Sequence, residues 1–321
     1  MSSPINDNNF LECKSKSRPR HNILVHSGTS FEKHLTSILD QVQAQDVLKR
    51  YELRRIAKLV GREDNWAILE REDAESGLKK AEAKATALTA FHQELSTHWA
   101  TDDSRILGHV IFSPPIVVGA GAEKYTQDVA VIRIDPSKIN PSGFAGNVID
   151  LGTKFPPDVL TAMMNPKKNS HNFEYPGDRL LSLRGTIPDE EMRNPKMNDL
   201  SGDPCIMVIK RGKTSGLTVG RANRVISYTR YYFETPGVSK EWAIFPFDRK
   251  SGSFSKNGDS GAVVVDGAGR IGGILTSGAG VSDSTDVTYA TPINFILKTI
   301  RSNKDLAKAY PSLGPPQTAP D

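Results

Sequence analysis

The stretch Gly258-Asp259-Ser260-Gly261-Ala262-Val263-Val264-Val265 decides the fold of this chain. Glycine and aspartate beside a serine are typical of a tight turn, and the apolar run that follows predicts a β-strand. A second apolar run at 271–275 follows an Asp266-Gly267 turn. We therefore expect Ser260 at the mouth of a β-sheet, where the backbone N–H groups of Gly258 and Ser260 converge on one point. Two converging donors form an oxyanion hole, so Ser260 is a candidate nucleophile; a bare turn is the alternative.

Three further motifs flank this turn in the chain: VIKRGKTSGLTVG at 208–220, GILTSG at 273–278 and VTYATPI at 287–293. In this order they resemble strands of the second β-barrel of trypsin-like serine peptidases, the first motif being similar to a hairpin of the bacterial enzymes. The resemblance implies a complete antiparallel second barrel over residues 173–303, in which the last strand leads into a terminal helix that begins at 294–300. It also implies that Thr276, Ser277 and Gly278 lie on the strand that binds substrate.

The catalytic triad implied by the resemblance is matched only in part. Asp128 stands at the entry to an alternating apolar strand, where the family has its orienting aspartate; a turn or cap residue is the alternative. The small-residue run that precedes the base histidine in the family does not occur here with a histidine. His26, after a short apolar strand, and His109, in the strand before Asp128, are the candidates for the base. A third reading is that no base is positioned, which leaves a serine a poor nucleophile.

The specificity pocket implied by the resemblance has its base six residues before the nucleophile, at Phe254. Phenylalanine brings no charge, so an open pocket is expected to prefer apolar side chains and not basic ones. The alternative is that Phe254 is a core aromatic that plugs the barrel.

A helical region is predicted before the strands. Residues 31–99 contain no proline, and their apolar residues recur at steps of three and four, with a break near 61–65. This spacing predicts an antiparallel helical hairpin or a short coiled coil, which either packs on its own barrel or pairs with a partner or a second copy. The region takes the place of the early strands of the first barrel, so that barrel is predicted to be incomplete, over 105–155.

The predicted organisation is of mixed α+β class. It comprises a disordered basic tail (1–22), a strand plus helical hairpin (23–104), the partial first barrel (105–155), the second barrel (173–303) and a disordered tail (304–321). With 321 residues, only two cysteines and a net charge of +4, the chain shows neither a disulfide framework nor a nucleic-acid footprint. No signal peptide, membrane span, metal cluster or cofactor motif is recognised, so we expect a cytoplasmic protein, or a nuclear one given the basic tract at 14–21.

The whole chain resembles fungal intracellular proteins that join a helical region to a trypsin-like domain. Two functions follow as expectations. In one, the protein is a serine endopeptidase with Ser260 as nucleophile, Gly258 and Ser260 as oxyanion hole and Asp128 as orienting acid. In the other, it is an inactive pseudopeptidase that binds a peptide or protein partner through its cleft or its helical hairpin, which also allows self-association.

Overall fold

The computed structural model describes residues 11–12, 20–140, 144, 146–166, 173–231, 237–280 and 286–311. Most of both predicted tails, Cys13 and His171 lie outside these residues. The chain divides into two compact units. The strand unit comprises Met1–Lys14, Ile111–Val131 and Ile139–Asp321, and the helix unit comprises Ser15–Val110 and Ile132–Lys138.

The described elements confirm a mixed α+β class in which most strand pairs are antiparallel. The helices are α1 (Gly28–Lys58), α2 (Asn65–His98), α3 (Pro157–Met164), α4 (Asp189–Arg193) and α5 (Ile293–Arg301). The strands are β1 (Leu11–Glu12), β2 (Asn22–Leu24), β3 (Ile106–Ser113), β4 (Val117–Ala120), β5 (Tyr125–Gln127), β6 (Val131–Ile134), β7 (Val148–Asp150), β8 (Leu180–Ser182), β9 (Met197–Asn198), β10 (Pro204–Gly212), β11 (Gly216–Tyr231), β12 (Gly237–Pro246), β13 (Val263–Asp266), β14 (Ile271–Ala279) and β15 (Val287–Pro292).

Six strands of the strand unit close on themselves. They pair antiparallel in the order β11-β10-β13-β14-β15-β12, and β12 pairs back with β11. We call these six strands the strand ring. Strand β5 adds to β12 in parallel at Lys240 and Tyr125, and β4 pairs with β5. The strands within 105–155 are thus shared between the two units, and the partial first barrel stays a prediction.

The core of the strand ring explains why β10 is almost continuously apolar. Residues Cys205 to Ile209 are all buried, because both faces of this strand are covered. Trp242 and Ile244 on β12 are fully buried in one of the two core clusters of the ring. Helix α5 buries Ile293, Ile296 and Leu297 in a core cluster of the strand unit, and on another side of the helix the Phe295 ring lies 5.5 Å from that of Tyr125.

The helix unit is built on α1 and α2, which pack against each other. Ser27 and Asp64 cap their N-termini by accepting hydrogen bonds from backbone N–H groups three residues later. Phe31, Ile38 and Gln45 recur every seven residues on the buried side of α1. The buried residues of α2 are all alanines, which permit close helix packing: Ala67, Ala74, Ala81 and Ala85. In the described part of the chain, no helix is long and apolar enough to cross a membrane.

Candidate functional site

Ser260 is exposed on the turn that leads into β13. Backbone hydrogen bonds tie this turn to β14: the Gly261 N–H donates to the Leu275 carbonyl at 2.8 Å, and the Leu275 N–H donates to the Ala262 carbonyl at 3.0 Å. Gly258 has a positive φ of 97°, and a Cβ there would lie 2.5 Å from Thr214 Oγ1, so only glycine fits this position. Among the described residues, no acceptor is bonded to the backbone N–H of Gly258 or Ser260.

Asp259 lies between Gly258 and Ser260 in the chain. Its side chain is buried and binds neighbouring segments through hydrogen bonds. Its Oδ1 accepts the backbone N–H groups of Thr214 at 2.8 Å and Ser215 at 3.2 Å. Its Oδ2 accepts the Ser215 hydroxyl at 2.5 Å, the Lys256 N–H at 3.0 Å and Lys210 Nζ at 3.0 Å. One carboxylate therefore joins the Ser260 turn to the β10–β11 hairpin. The Asp259 hydrogen bonds hold the backbone on both sides of this contact, at Lys256 and at Thr214, in one conformation.

Lys210 and Asp259 form an ion pair in which both side chains are fully buried. Burial opposes ionisation of Asp259, but the hydrogen bonds from Ser215, from the Lys256 and Thr214 N–H groups and from Lys210 outweigh it and hold the pKa of Asp259 well below its usual value. Burial lowers the pKa of Lys210, and the neighbouring carboxylate partly offsets this effect. The Ser215 hydroxyl bridges the two groups. This ion pair therefore holds the Ser260 turn in place, and water does not screen the attraction between its two charges.

A cleft of about 560 Å³ opens beside Ser260. Its wall includes the two later residues of the predicted substrate strand, Ser277 and Gly278. Thr276 is not part of the wall, because β14 is irregular between Leu275 and Ser277 and the Thr276 hydroxyl donates to the Tyr289 carbonyl at 3.3 Å. The Ser277 hydroxyl lies 3.2 Å from the hydroxyl of Tyr231.

Phe254 is placed in the core of the strand ring and is 1% exposed. Its ring lies 5.5 Å from Lys210 Nζ, and its carbonyl accepts the Thr218 hydroxyl at 2.8 Å. The cleft wall at this point is formed by the neighbouring serines, Ser253 and Ser255. A direct substrate contact by Phe254 therefore stays a prediction, while its contacts in this structure are those of a core residue.

Asp128 and the candidate histidines are not brought together in one unit. Asp128 is exposed after β5 in the strand unit, which also holds Ser260. His26 and His109 belong to the helix unit, as do all the other described histidines. His26 Nδ1 lies 3.2 Å from Ser30 Oγ and its ring stacks on that of His34, whereas His109 is half-buried on β3 and pairs with Asn22. The orienting and base roles of these residues stay predictions.

A second buried acid lies in the strand unit, at Glu241 on β12. Its Oε1 accepts the hydroxyls of Thr126 at 2.5 Å and Ser239 at 2.8 Å, and its Oε2 accepts that of Thr291 at 3.2 Å. Burial raises the pKa of Glu241, and these three hydrogen bonds offset only part of the rise. Because its partners are neutral hydroxyls, this acid links β5, β12 and β15 without an ion pair.

Sequence reasoning missed the buried partners of both acids. The only local signal for Lys210 is its position in the strand, because it directly follows the apolar core residues Val208 and Ile209. The wall residue Asp286 was also missed, because nothing in the sequence links it to Gly278 or Ser255. Across the described residues, no group of three or more potential metal-ligating side chains occurs.

The known proteins that this chain resembles have low sequence identity to it and low TM-scores. No family model matches the chain. No curated protein matches it. Its structure is similar to Thermobifida fusca protease A (TM-score 0.33, 16% identity, 60% of this chain and 70% of that chain). It is also similar to a serine protease specific for glutamic acid, described as using a histidine triad in substrate binding (TM-score 0.35, 15% identity, 62% and 74%). The chain spans about half the length of Cellulomonas bogoriensis chymotrypsin, a further similar structure (TM-score 0.27, 19% identity, 37% and 53%). Sequence identities and TM-scores this low assign neither an activity nor site residues to this chain.

Proposed function

We propose that the strand unit is a serine-peptidase-like module whose cleft binds a peptide with its carbonyl group at Ser260. The observation that supports this function is the Ser260 turn: an exposed hydroxyl flanked by two backbone N–H groups without acceptors, clamped by a buried ion pair at the edge of a cleft. The motifs at 208–220, 273–278 and 287–293 also favour a trypsin-like fold for this unit.

In this proposal, Ser260 Oγ attacks the peptide carbonyl, and its proton passes to a base. The N–H groups of Gly258 and Ser260 receive the oxygen as it gains negative charge. Ser277 and Gly278 contact the bound peptide. Asp128 orients the base, which is His26 or His109.

Cleavage of a peptide library, followed by mass spectrometry, tests this function. The proposal expects cleavage by the full chain and a loss of rate of at least about three orders of magnitude in Ser260→Ala, because the nucleophile is removed. Ser253→Ala is the matched control, since Ser253 lines the same cleft and is not the proposed nucleophile. Equal loss in both variants would show that the serine role is not specific to Ser260.

Peptide binding without cleavage is the second candidate function. The observation that favours it is the distribution of histidines, since every described histidine lies in the unit that does not hold Ser260. Single variants His26→Gln and His109→Gln separate the two functions. If the protein cleaves peptides, one of the two is expected to abolish cleavage while leaving peptide binding intact. If none of the chains cleaves, binding by the wild-type protein supports the second function.

A further inference from the structure

Helix α1 has an apolar face that is wider than its buried side. Phe31, Ile38 and Gln45 are buried, whereas Leu39 and Leu53 are 44% and 52% exposed. The two leucines are two heptads apart, so they lie on the same side of the helix. A helix that packs on one neighbour needs a single apolar seam, and a further apolar row is typical of a helix that contacts another helix as well.

The exposed leucines belong to a stripe in which successive residues are three and then four positions apart. We call it the α1 stripe, and its members are Leu39, Val42, Asp46, Lys49, Leu53 and Ile56. Steps of three and four keep all six on one side of α1. From end to end the stripe is about 26 Å long, at the rise per residue of an α-helix. It is apolar at both ends and charged in the middle.

The α1 stripe has the same pattern in both directions. Its middle lies between residues 47 and 48, and each member has a counterpart at the same distance on the other side: Leu39 with Ile56, Val42 with Leu53, and Asp46 with Lys49. In a two-fold interface, residue i of one copy faces residue j of the other, and j faces i. The stripe is therefore complementary to a second copy of itself when the two helices run antiparallel.

The charges in the middle of the stripe favour this orientation over a parallel one. Lys49 Nζ lies 2.7 Å from Asp46 Oδ1 of the same chain, and the two side chains are 28% and 50% exposed. In an antiparallel pair, Lys49 of the second copy meets Asp46 of the first, so two acids and two bases alternate. In a parallel pair each residue meets its own copy, and like charges repel.

We propose that α1 pairs antiparallel with α1 of a second copy of this chain along the α1 stripe, which makes the helical hairpin a dimerisation element. Removal of Leu39 and Leu53 from water drives the association, and the two Asp46–Lys49 contacts between copies fix the register. Of the uses of the hairpin that the sequence left open, this inference selects pairing with a second copy. It goes beyond the proposed function and involves neither Ser260 nor the cleft.

Sedimentation equilibrium of the full chain over a concentration series tests the association. We expect a dimer whose dissociation constant rises at least about tenfold in Leu53→Glu, because each dimer then brings two carboxylates into an apolar contact. Val47→Glu is the matched control, since Val47 is a 59% exposed apolar residue of α1 outside the stripe, and no change is expected. Far-UV circular dichroism checks that both variants keep their helices.

A charge exchange tests the register. Lys49→Glu surrounds the middle of the interface with four acids and Asp46→Lys surrounds it with four bases, so each single variant is expected to weaken the dimer at least about tenfold. The double variant Asp46→Lys, Lys49→Glu restores alternating charges and is expected to restore the wild-type dissociation constant. A role of the two residues in the fold of one chain does not predict this rescue between copies.

The orientation is measured by the distance between two nitroxide labels. Glu32→Cys in a Cys13→Ser background provides one exposed labelling site on α1, and Cys205 is buried. In the proposed register the labelled positions of the two copies are about 46 Å apart along the helix axis. In a parallel pair they are separated only by the spacing of adjacent helices, about 10 Å between axes. Double electron–electron resonance distinguishes these distances.

Four results would overturn the inference. They are a wild-type chain that stays monomeric throughout the concentration series, an equal loss of association in Leu53→Glu and Val47→Glu, a double charge variant that dimerises no better than the single variants, and a short distance between the labels. None of these results bears on peptide cleavage or binding at Ser260, so the proposed function is tested separately.

Discussion

The helix unit and the strand unit differ in how fully their ion pairs are buried. In the helix unit, Arg55 forms ion pairs with Glu52, Glu70 and Asp73 at the surface between α1 and α2, while alanines fill the buried seam of α2. In the strand unit, a charge pair and a carboxyl group are placed inside, at Lys210–Asp259 and Glu241. A buried charge is costly unless it is paired, and both partners of the Lys210–Asp259 pair are fully buried.

A buried ion pair contributes little net stability compared with an apolar core, but it fixes geometry, and the pair in this chain fixes the Ser260 turn. The helix unit buries the charged side chain of Arg105, at 3% exposure, which donates to the carbonyls of His26, Trp99 and Ala100, but its ion-pair partner Asp102 is exposed. Large apolar side chains are exposed in both units, among them Val60 at 75% in the helix unit and Tyr228 at 69% in the strand unit.

The largest expected effect comes from breaking the buried pair. Lys210→Met leaves Asp259 buried without its cation, and we expect a loss of about 3–5 kcal/mol in the free energy of unfolding of the strand unit. Urea unfolding followed by the fluorescence of Trp242 measures it, in a chain whose other tryptophans, Trp66 and Trp99, are phenylalanine. Lys250→Met, at an exposed lysine of the same unit, is the control and is expected to change little. Equal small effects of the two substitutions would remove the proposed difference between the units.

The next effect is expected in the helix unit. Ala74 is fully buried in the seam of α2, and Ala74→Leu forces a larger side chain into it, at a cost of about 1–3 kcal/mol. Ala83→Leu is the matched control on the same helix, because Ala83 is exposed. Thermal unfolding followed by far-UV circular dichroism should show a lower transition for Ala74→Leu alone. If Ala83→Leu lowers the transition as much, the alanine seam is not what limits the packing.

A smaller, pH-dependent effect is expected at Glu241. Its pKa is raised in the folded state, so the stability contributed by its neutral form is present below the unfolded pKa and is lost as pH rises through the folded pKa. Glutamine does not titrate. The free energy of unfolding of Glu241→Gln should therefore rise relative to wild type between pH 4 and pH 8, measured by urea unfolding at each pH. A difference that is constant with pH would mean that Glu241 is ionised at the same pH in both states.

The smallest effect is expected at Arg55. Arg55→Gln removes the three ion pairs with Glu52, Glu70 and Asp73 at the surface of the helix unit. These pairs are partly exposed and are therefore partly screened by water and salt, so the transition should shift less than in Lys210→Met, and the shift should shrink further in high salt. Thermal unfolding at low and high salt measures it. A shift as large as that of Lys210→Met would show that the two units do not differ in this respect.

Sequence patterns predicted what is local in this molecule. The Gly258-to-Gly261 turn and the valine run of β13 depend on neighbouring residues, and the helices α1 and α2 follow from apolar spacing with a break at 61–65. The strands within 208–220, 262–278 and 287–293 were expected from motifs that resemble trypsin-like peptidases, whereas β12 and the long C-terminal part of β11 were not predicted.

Contacts between residues far apart in the sequence could not be predicted from sequence patterns. Asp259 meets Lys210 across 49 positions and Glu241 meets Thr126 across 115, and both pairs exist only because the strands assemble into one sheet. For Phe254 the sequence left a core residue and a pocket residue as alternatives, since the direction of its side chain depends on packing with Trp242 and Ile244.

The most direct test of the central claim is the reaction of the full chain with a fluorophosphonate probe, with the adduct located by peptide mass spectrometry. We predict a single adduct on Ser260 that is absent from Ser260→Ala and much reduced in Lys210→Met, because the buried pair holds the oxyanion donors in place. A folded wild-type protein without an adduct at neutral or mildly alkaline pH, or one modified at several serines alike, would contradict the claim that this turn presents an activated nucleophile.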